Sequence, residues 1–176
     1  QERKIMAESG KLEKMLILAF SDSRKAESGG LAEADDSFEA LINPESYTQE
    51  YKLKFFESGQ GQGTSGKQLK YEYTQPEEMT FEFLFDNTGI IDGKPRDSVA
   101  DDLKLFKQVL IEYKGDSHEP RHFKLVWGQN SIFKGRVTEV SITYKMFKSD
   151  GTPIRALAKA KFRSSIEEQK RAAREN

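Results

Sequence analysis

The sequence predicts a mainly β domain, an antiparallel β-barrel or two packed sheets with one covering α-helix. Three observations carry this. Most apolar residues fall at every second position in short runs, Glu78–Phe85 above all. Only one internal stretch, following Asp97-Ser98, has its apolar residues at helical spacing. The runs are separated by turn clusters such as Asn43-Pro44, Asp86-Asn87-Thr88-Gly89 and Asp150-Gly151. The 176 residues suit one domain, and 12 Phe, 6 Tyr and 1 Trp are far more aromatics than a disordered chain carries.

Along the chain, 1–11 is a polar N-terminal extension, and the domain proper is expected over 12–163. Leu12–Phe20 reads as a short buried strand, 21–36 as a polar loop broken at Gly29-Gly30, and Ser37–Ile42 as a strand stopped by Asn43-Pro44. Tyr47–Phe55 alternates and predicts one half-buried strand with Tyr47, Gln49, Tyr51, Leu53 and Phe55 on a common face. The stretch 57–70 contains Gly59, Gly61, Gly63 and Gly66 and almost nothing apolar, so it adds no core and is expected to be a long assembly loop.

Glu78–Phe85 is the strongest strand, with Met79, Phe81, Phe83 and Phe85 on one face. A helix is predicted next: Asp97 or Ser98 is the cap, Asp101-Asp102 add negative charge to the first turn, and Val99, Leu103, Phe106, Val109, Leu110 and Tyr113 form the apolar stripe before Gly115. Strands follow over Arg121–Trp127 and Ser131–Phe147, the latter bending near Gly135 or splitting there. Ser149-Asp150-Gly151 turns the chain into a last strand over Pro153–Phe162, whose alanines also admit a helix. Residues 164–176 read as a short basic helix or tail, with Ser165 and Glu168 in capping-box positions.

Catalytic chemistry has little to work with. With no cysteine there is no disulfide scaffold, zinc–thiolate site or thiol nucleophile. Pro120 keeps His118 and His122 from sitting one turn apart on a regular helix. The glycines of 59–66 precede no Lys-Ser/Thr step, as a phosphate loop would require. The carboxylates Glu72, Glu77, Glu78, Glu82, Asp86 and Asp92 show no pairing across a cleft. A net charge of −1 gives no basic stripe, so no nucleic-acid partner is expected, and no apolar run is long enough for a bilayer. Residues 72–102 hold nine acids and two bases while 155–176 hold seven bases and three acids, an unevenness suited to a domain with oppositely charged ends, or to a random excursion in a charged surface. The candidate assembly surface is the glycine loop and the residues flanking it: Tyr51, Phe55, Phe56, Lys67, Tyr71 and Tyr73. No cofactor is expected.

Several strings, taken in order, resemble a known family. They are KMLILAF (14–20), FEALINPESYTQEYKLKF (38–55), QPEEMTFEFLFDNTG (75–89), LKLFKQVLIEY (103–113), HEPRHFKLVWG (118–128) and FKGRVTEVSITYKMFKSDGTPIRALAKAKF (133–162). Together they resemble the N-terminal domain of the tube-adaptor proteins of contractile injection systems, the phage-tail-like machines. The resemblance implies a fold like the inner-tube subunit and a structural, non-enzymatic role. It further implies a baseplate adaptor, a hexameric ring that joins the spike or hub protein to the inner-tube proteins and transmits force on contraction. Asn43, Pro44 and Tyr47 would then form the turn into a long strand, with Phe81, Phe83 and Phe85 in the core. Asp86 with Gly89, Trp127 with Gly128, and Asp150, Gly151 and Pro153 would be the family's other turns. The implied place is a particle made from bacterial cytoplasmic subunits, whether intracellular, membrane-anchored or released. Many relatives continue into a LysM module, which residues 1–176 do not reach; a further module and a short family member both stay open. Outside the family, the readings are a generic β-rich binding or scaffold module and, behind it, a small hydrolase.

Overall fold

The computed structural model describes residues 12–57, 69–96, 98–112 and 120–164. Along them run β1 (Met15–Phe20), α1 (Ser23–Ser28), β2 (Asp36–Glu39), β3 (Tyr47–Glu50), β4 (Leu53–Glu57), β5 (Leu69–Thr74), β6 (Glu78–Asp86), α2 (Ala100–Leu110), β7 (His122–Trp127), β8 (Asn130–Phe147) and β9 (Pro153–Arg163). Seven strands form one sheet in the order β2-β1-β7-β8-β9-β6-β3, and β4 and β5 pair separately. Every pairing is antiparallel. The sheet's outer strands, β2 and β3, do not pair with each other, so no barrel closes.

Two halves share β8. Its first part, Asn130–Gly135, pairs with β7, and Arg136–Phe147 pairs with β9. The strand stays continuous while its partner changes at Gly135–Arg136. A Cβ on Gly135 would stand 2.3 Å from the Arg163 carbonyl oxygen and 2.7 Å from the Phe133 ring, so only glycine lets the strands approach here. The halves then face each other across a phenylalanine-rich core. Phe38 on β2 meets Phe83 and Phe85 on β6 at ring distances of 6.2 and 5.9 Å, and Phe123 and Phe133 meet Phe162. This is the packed-sheet form of the expected fold.

Alternation in β6 and β9 places the core as expected: Met79, Phe81, Phe83 and Phe85 are buried, and so are Ala156, Ala158, Ala160 and Phe162. Register sets Phe81 opposite Ala160, Phe83 opposite Ala158 and Phe85 opposite Ala156. The alanines that suit a helix in isolation serve here as small partners for large rings. Helix α2 covers the core with Val99, Leu103, Phe106, Val109 and Leu110, and the Phe106 ring lies 5.1 Å from Phe38 and 5.5 Å from Phe85. Ser98 Oγ accepts from the Ala100 backbone N–H at 3.0 Å, although the residue at the cap position is Val99.

Three expectations change. The polar stretch 21–36 contains a second helix, α1, whose Asp22 cap accepts from Arg24 N–H at 2.7 Å and whose Ala26 packs on Leu18 and Phe20. Tyr47–Phe55 is two strands rather than one, interrupted at Tyr51-Lys52, and its shared face is exposed rather than half-buried. Glu57, Leu69 and Lys70, expected within the long loop, belong to strands. The extension 1–11, Tyr113, Gly115 and the tail from Ser165 lie outside the described residues.

The family-like turns are built as turns. Asn43 accepts from Met15 N–H at 3.0 Å and donates to the Glu13 carbonyl at 2.8 Å, pinning β1 beside buried Pro44. Gly89, Gly128 and Gly151 have φ of 76, 61 and 87°, where a side chain would be strained. Trp127 donates its indole N–H to the Glu13 carbonyl, and Asp150 accepts from Thr152 N–H just before Pro153 starts β9.

Gly135→Ala should destabilise the domain by about 1–3 kcal/mol through overpacking, measured by chemical denaturation. Phe83→Ala should cost about 3–5 kcal/mol by loss of transfer energy and creation of a cavity, and a near-neutral result in the same measurement would contradict the facing of β6.

Candidate assembly surfaces

The β4–β5 hairpin extends from the end of the large sheet where β3 stops and β6 begins. Opposed residues share a face. Leu53, Phe55, Leu69 and Tyr71 therefore gather on one side, and Lys54, Phe56, Lys70 and Tyr73 on the other, with a register shift between Lys54 and Phe55. The Phe55 and Tyr71 rings pack edge-on at 6.0 Å. Yet Tyr51, Leu53, Phe55, Phe56, Leu69, Tyr71 and Tyr73 are 47–67% exposed, and none belongs to a core cluster. Among the described residues no third layer covers the hairpin, and a two-stranded hairpin by itself is marginal in water.

Polar groups hold the hairpin's base. Gln75 N–H donates to the Lys52 carbonyl at 2.8 Å, and Gln49 Nε2 and Tyr51 Oη both donate to Glu77 Oε1, at 2.8 and 3.1 Å. Lys52 Nζ lies 3.6 Å from Glu78, which also accepts from Arg163. The Arg163 hydrogen bonds hold the Glu78 carboxyl below its ordinary range, against burial that works the other way. At the far end of the same ladder Asp86, 1% exposed, accepts from Arg155 Nε at 2.7 Å and from the Thr88 backbone N–H at 2.9 Å. Burial pushes the Asp86 carboxyl up, but the bonds from Thr88 and Arg155 outweigh it and leave the group lowered. Register places Glu78 opposite Arg163 and Asp86 opposite Arg155, so the two pairs clamp both ends of the β6–β9 ladder.

These pairs also revise the picture of oppositely charged ends. Acids from 72–102 and bases from 155–163 lie side by side across β6 and β9, with Glu82 opposite Lys159 as a third couple. The outer face of the β8-β9-β6-β3 half is mostly polar and of mixed sign, with Thr48, Thr80, Glu82, Ser141, Lys159 and Lys161 half-buried or exposed there; the opposed leucines Leu84 and Leu157, half-buried, interrupt it. Its opposite face is the core.

This half also has two open edges. Arg136–Phe147 on β8 pairs only with β9, and β3 pairs only with β6. Among the described residues, nothing pairs with the other side of either strand.

Of the sequence candidates, Phe55, Phe56, Tyr71 and Tyr73 come together on the hairpin and Tyr51 lies at its base, bonded to Glu77, while Gly59, Gly61, Gly63, Gly66 and Lys67 lie outside the described residues. Sequence reasoning missed Leu53 and Leu69, and it also missed Tyr144, Met146 and Phe147, exposed at the end of β8. The signal available was apolar residues on both faces of a strand too far from the core to be covered. His118 also lies outside the described residues, and His122 Nε2 lies 3.0 Å from Arg136 Nη2.

A family model described as contractile injection system tube protein matches residues 11–173. The chain belongs to that family. No curated protein matches the chain at a significant level. As a contractile injection system tube protein it is a structural part of an injection particle, built to assemble with other particle components. No described helix is long and apolar enough to cross a membrane.

Because both clamp carboxyls are lowered on folding, their contribution is complete at neutral pH. It should begin to fade as pH enters the ordinary carboxylate range near ~4, and vanish as pH falls through the lowered folded-state values. Thermal melts against pH should show this acid loss. Asp86→Asn should melt lower at pH 7 and show a shallower acid dependence.

Proposed function

We propose that this tube-family chain is a baseplate adaptor: six copies join side by side into a ring between the spike or hub protein and the stacked inner tube. The observation that carries this is the pair of open edges, β8 and β3, on opposite sides of the same four-stranded half-sheet. An exposed edge is a template for another strand. Two different edges on one subunit make a heterologous contact, which closes into a ring when the rotation per subunit divides the circle.

Simple geometry orients the subunit. Four strands at ~4.8 Å spacing span about 19 Å, whereas a 176-residue body is about 40 Å across. Edge-to-edge joining therefore puts the sheet on the narrow, inner side of the wedge and the β1–β2–β7 half with both helices outside. Six such units give a wall about 115 Å around, drawn on those same spacings. The mostly polar face with Thr80, Glu82, Lys159 and Lys161 then lines the passage, its apolar surface there being the half-buried pair Leu84 and Leu157. Its paired signs give no polyanion track, in keeping with no nucleic-acid partner. On contraction the continuous strand ladder carries load between spike and tube. The ring would be built from subunits made in the bacterial cytoplasm into a particle that is intracellular, membrane-anchored or released.

The family description favours a second reading, a repeating tube subunit. Native mass measurement tests both. An adaptor ring gives a species six times the 20.1 kDa chain, a repeating subunit goes on to long tubes, and a chain that stays monomeric at assembly concentrations contradicts both.

A further inference from the structure

A cleft of about 280 Å³ opens beside the free edge of β8, at the corner where β7 begins and α2 ends. Leu110, Ile111, Pro120, Arg121, Val137 and Val140 line it. Sites that enclose a whole small ligand measure roughly 300–1,000 Å³, so this one has room for a single large side chain. Two features mark it as incomplete in the single chain. Arg121 is 8% exposed and donates from Nη1 to Asp36 at 2.8 Å, yet its Nη2 is buried without an acceptor among the described residues. A buried donor is costly to leave unpaired. Beside it β8 takes an extra residue between Val137 and Glu139, an irregularity common at sheet edges and next to functional sites.

The other edge of the half-sheet carries a side chain to match. Tyr47 on β3 stands opposite Phe81, Phe81 opposite Ala160, and Ala160 opposite Val140. Tyr47 and Val140 are therefore level and on the same face, but at the two edges. The Tyr47 ring lies 5.2 Å from Phe81 and is 43% exposed, and its phenol makes no hydrogen bond among the described residues. We propose that the cleft is a socket for Tyr47 of the adjacent subunit. The neighbour's ring fills the space between the end of α2 and Val140, and its phenol oxygen accepts from Arg121 Nη2. This rests on the ring reading above and adds the residues that seat one subunit against the next. Four alternating strands leave β3 and β8 running in opposite directions. Rotation about an axis along the strands keeps residues level, so a neighbour's β3 arrives antiparallel to β8 with Tyr47 beside Val140. On the other face the same level brings the neighbour's Glu50 to the height of Arg136, through Glu78 and Arg163, and its Thr48 beside Glu139. A second copy therefore fits the cleft in size, direction and charge, and Arg121 is fully paired only in the assembly.

The chain has no cysteine, so a cross-link can be placed without touching the socket. Thr48 and Glu139 are exposed. T48C, E139C and the double T48C/E139C are treated with a short bis-maleimide and run on a denaturing gel. Native mass reports ring formation separately, for these variants and for Y47A and I111K. Ile111 is 48% exposed in the single chain, so I111K alters the socket wall at little cost to the fold, and thermal melts verify that each variant is folded. The expected result is six-copy rings from the unaltered chain and a ladder of cross-linked chains from the double cysteine variant. Mixing the two single cysteine variants should give one dimer band, and neither alone should cross-link. Y47A and I111K should need roughly tenfold or more subunit to form rings, as loss of a tyrosine anchor at an interface entails. Rings from folded Y47A or I111K at the unaltered chain's concentration, or rings in which T48C/E139C stays uncross-linked, would overturn the socket and leave the ring. No rings from the unaltered chain would overturn the ring reading and the socket together.

Discussion

The three alanines of β9 set how closely this molecule can pack. Ala156, Ala158 and Ala160 each lie in register between a phenylalanine of β6 and a larger residue of β8: Phe85 and Tyr144, Phe83 and Ile142, Phe81 and Val140. Large side chains on all three strands would crowd one another, whereas a small middle row lets the outer rows lean inward over it. That lean gives Phe83 and Phe85 room to reach Phe38 on β2, and gives Phe106 of α2 a place among them. The middle strand is then fixed lengthwise by the couples Glu78–Arg163 and Asp86–Arg155, whose carboxylates are buried, and a one-residue slip would break them.

From that arrangement the surfaces follow. With one side of the β8-β9-β6-β3 half filled by rings, its other side is mostly polar, apart from the opposed leucines Leu84 and Leu157. Because β8 must serve β7 first and β9 afterwards, its second part is left with a free edge. The hairpin contributes no residue to the core, and it keeps apolar side chains on both faces. Such an element makes sense in a protein whose folded state is completed by its neighbours, as in a family of tube proteins.

Much of the fold was legible because it depends on local pattern. The period-two rows of β6, β8 and β9, the single apolar stripe of α2 and the turns at Asn43, Gly89, Gly128 and Gly151 all declare themselves in the sequence. Gly135 stands where β8 changes partner, and only the structure shows the Arg163 carbonyl that excludes a side chain there. Helix α1 stayed hidden because six mostly polar residues carry no period, and its one buried residue is an alanine. The break between β3 and β4 was equally invisible: alternation continues through Tyr51-Lys52, and what changes there is the pairing partner. Alternation says which residues share a side, never whether anything covers that side. For this reason Tyr51, Phe55, Tyr71 and Tyr73 could be named as a group before their exposure was known, while Met146 and Phe147 looked like the end of an ordinary strand. Charge asymmetry misled for a related reason, since segments far apart in sequence became neighbours across one ladder.

The central claim is that the free edge of β8 is where a neighbouring subunit pairs. Amide hydrogen exchange across Arg136–Phe147, compared between the isolated chain and its assembled form, tests this most directly. Amides of this segment that point away from β9 should exchange quickly in the isolated chain and become strongly protected in the assembly, with little change in β6. Equal exchange in the two states would mean that the edge stays open and that assembly uses some other surface.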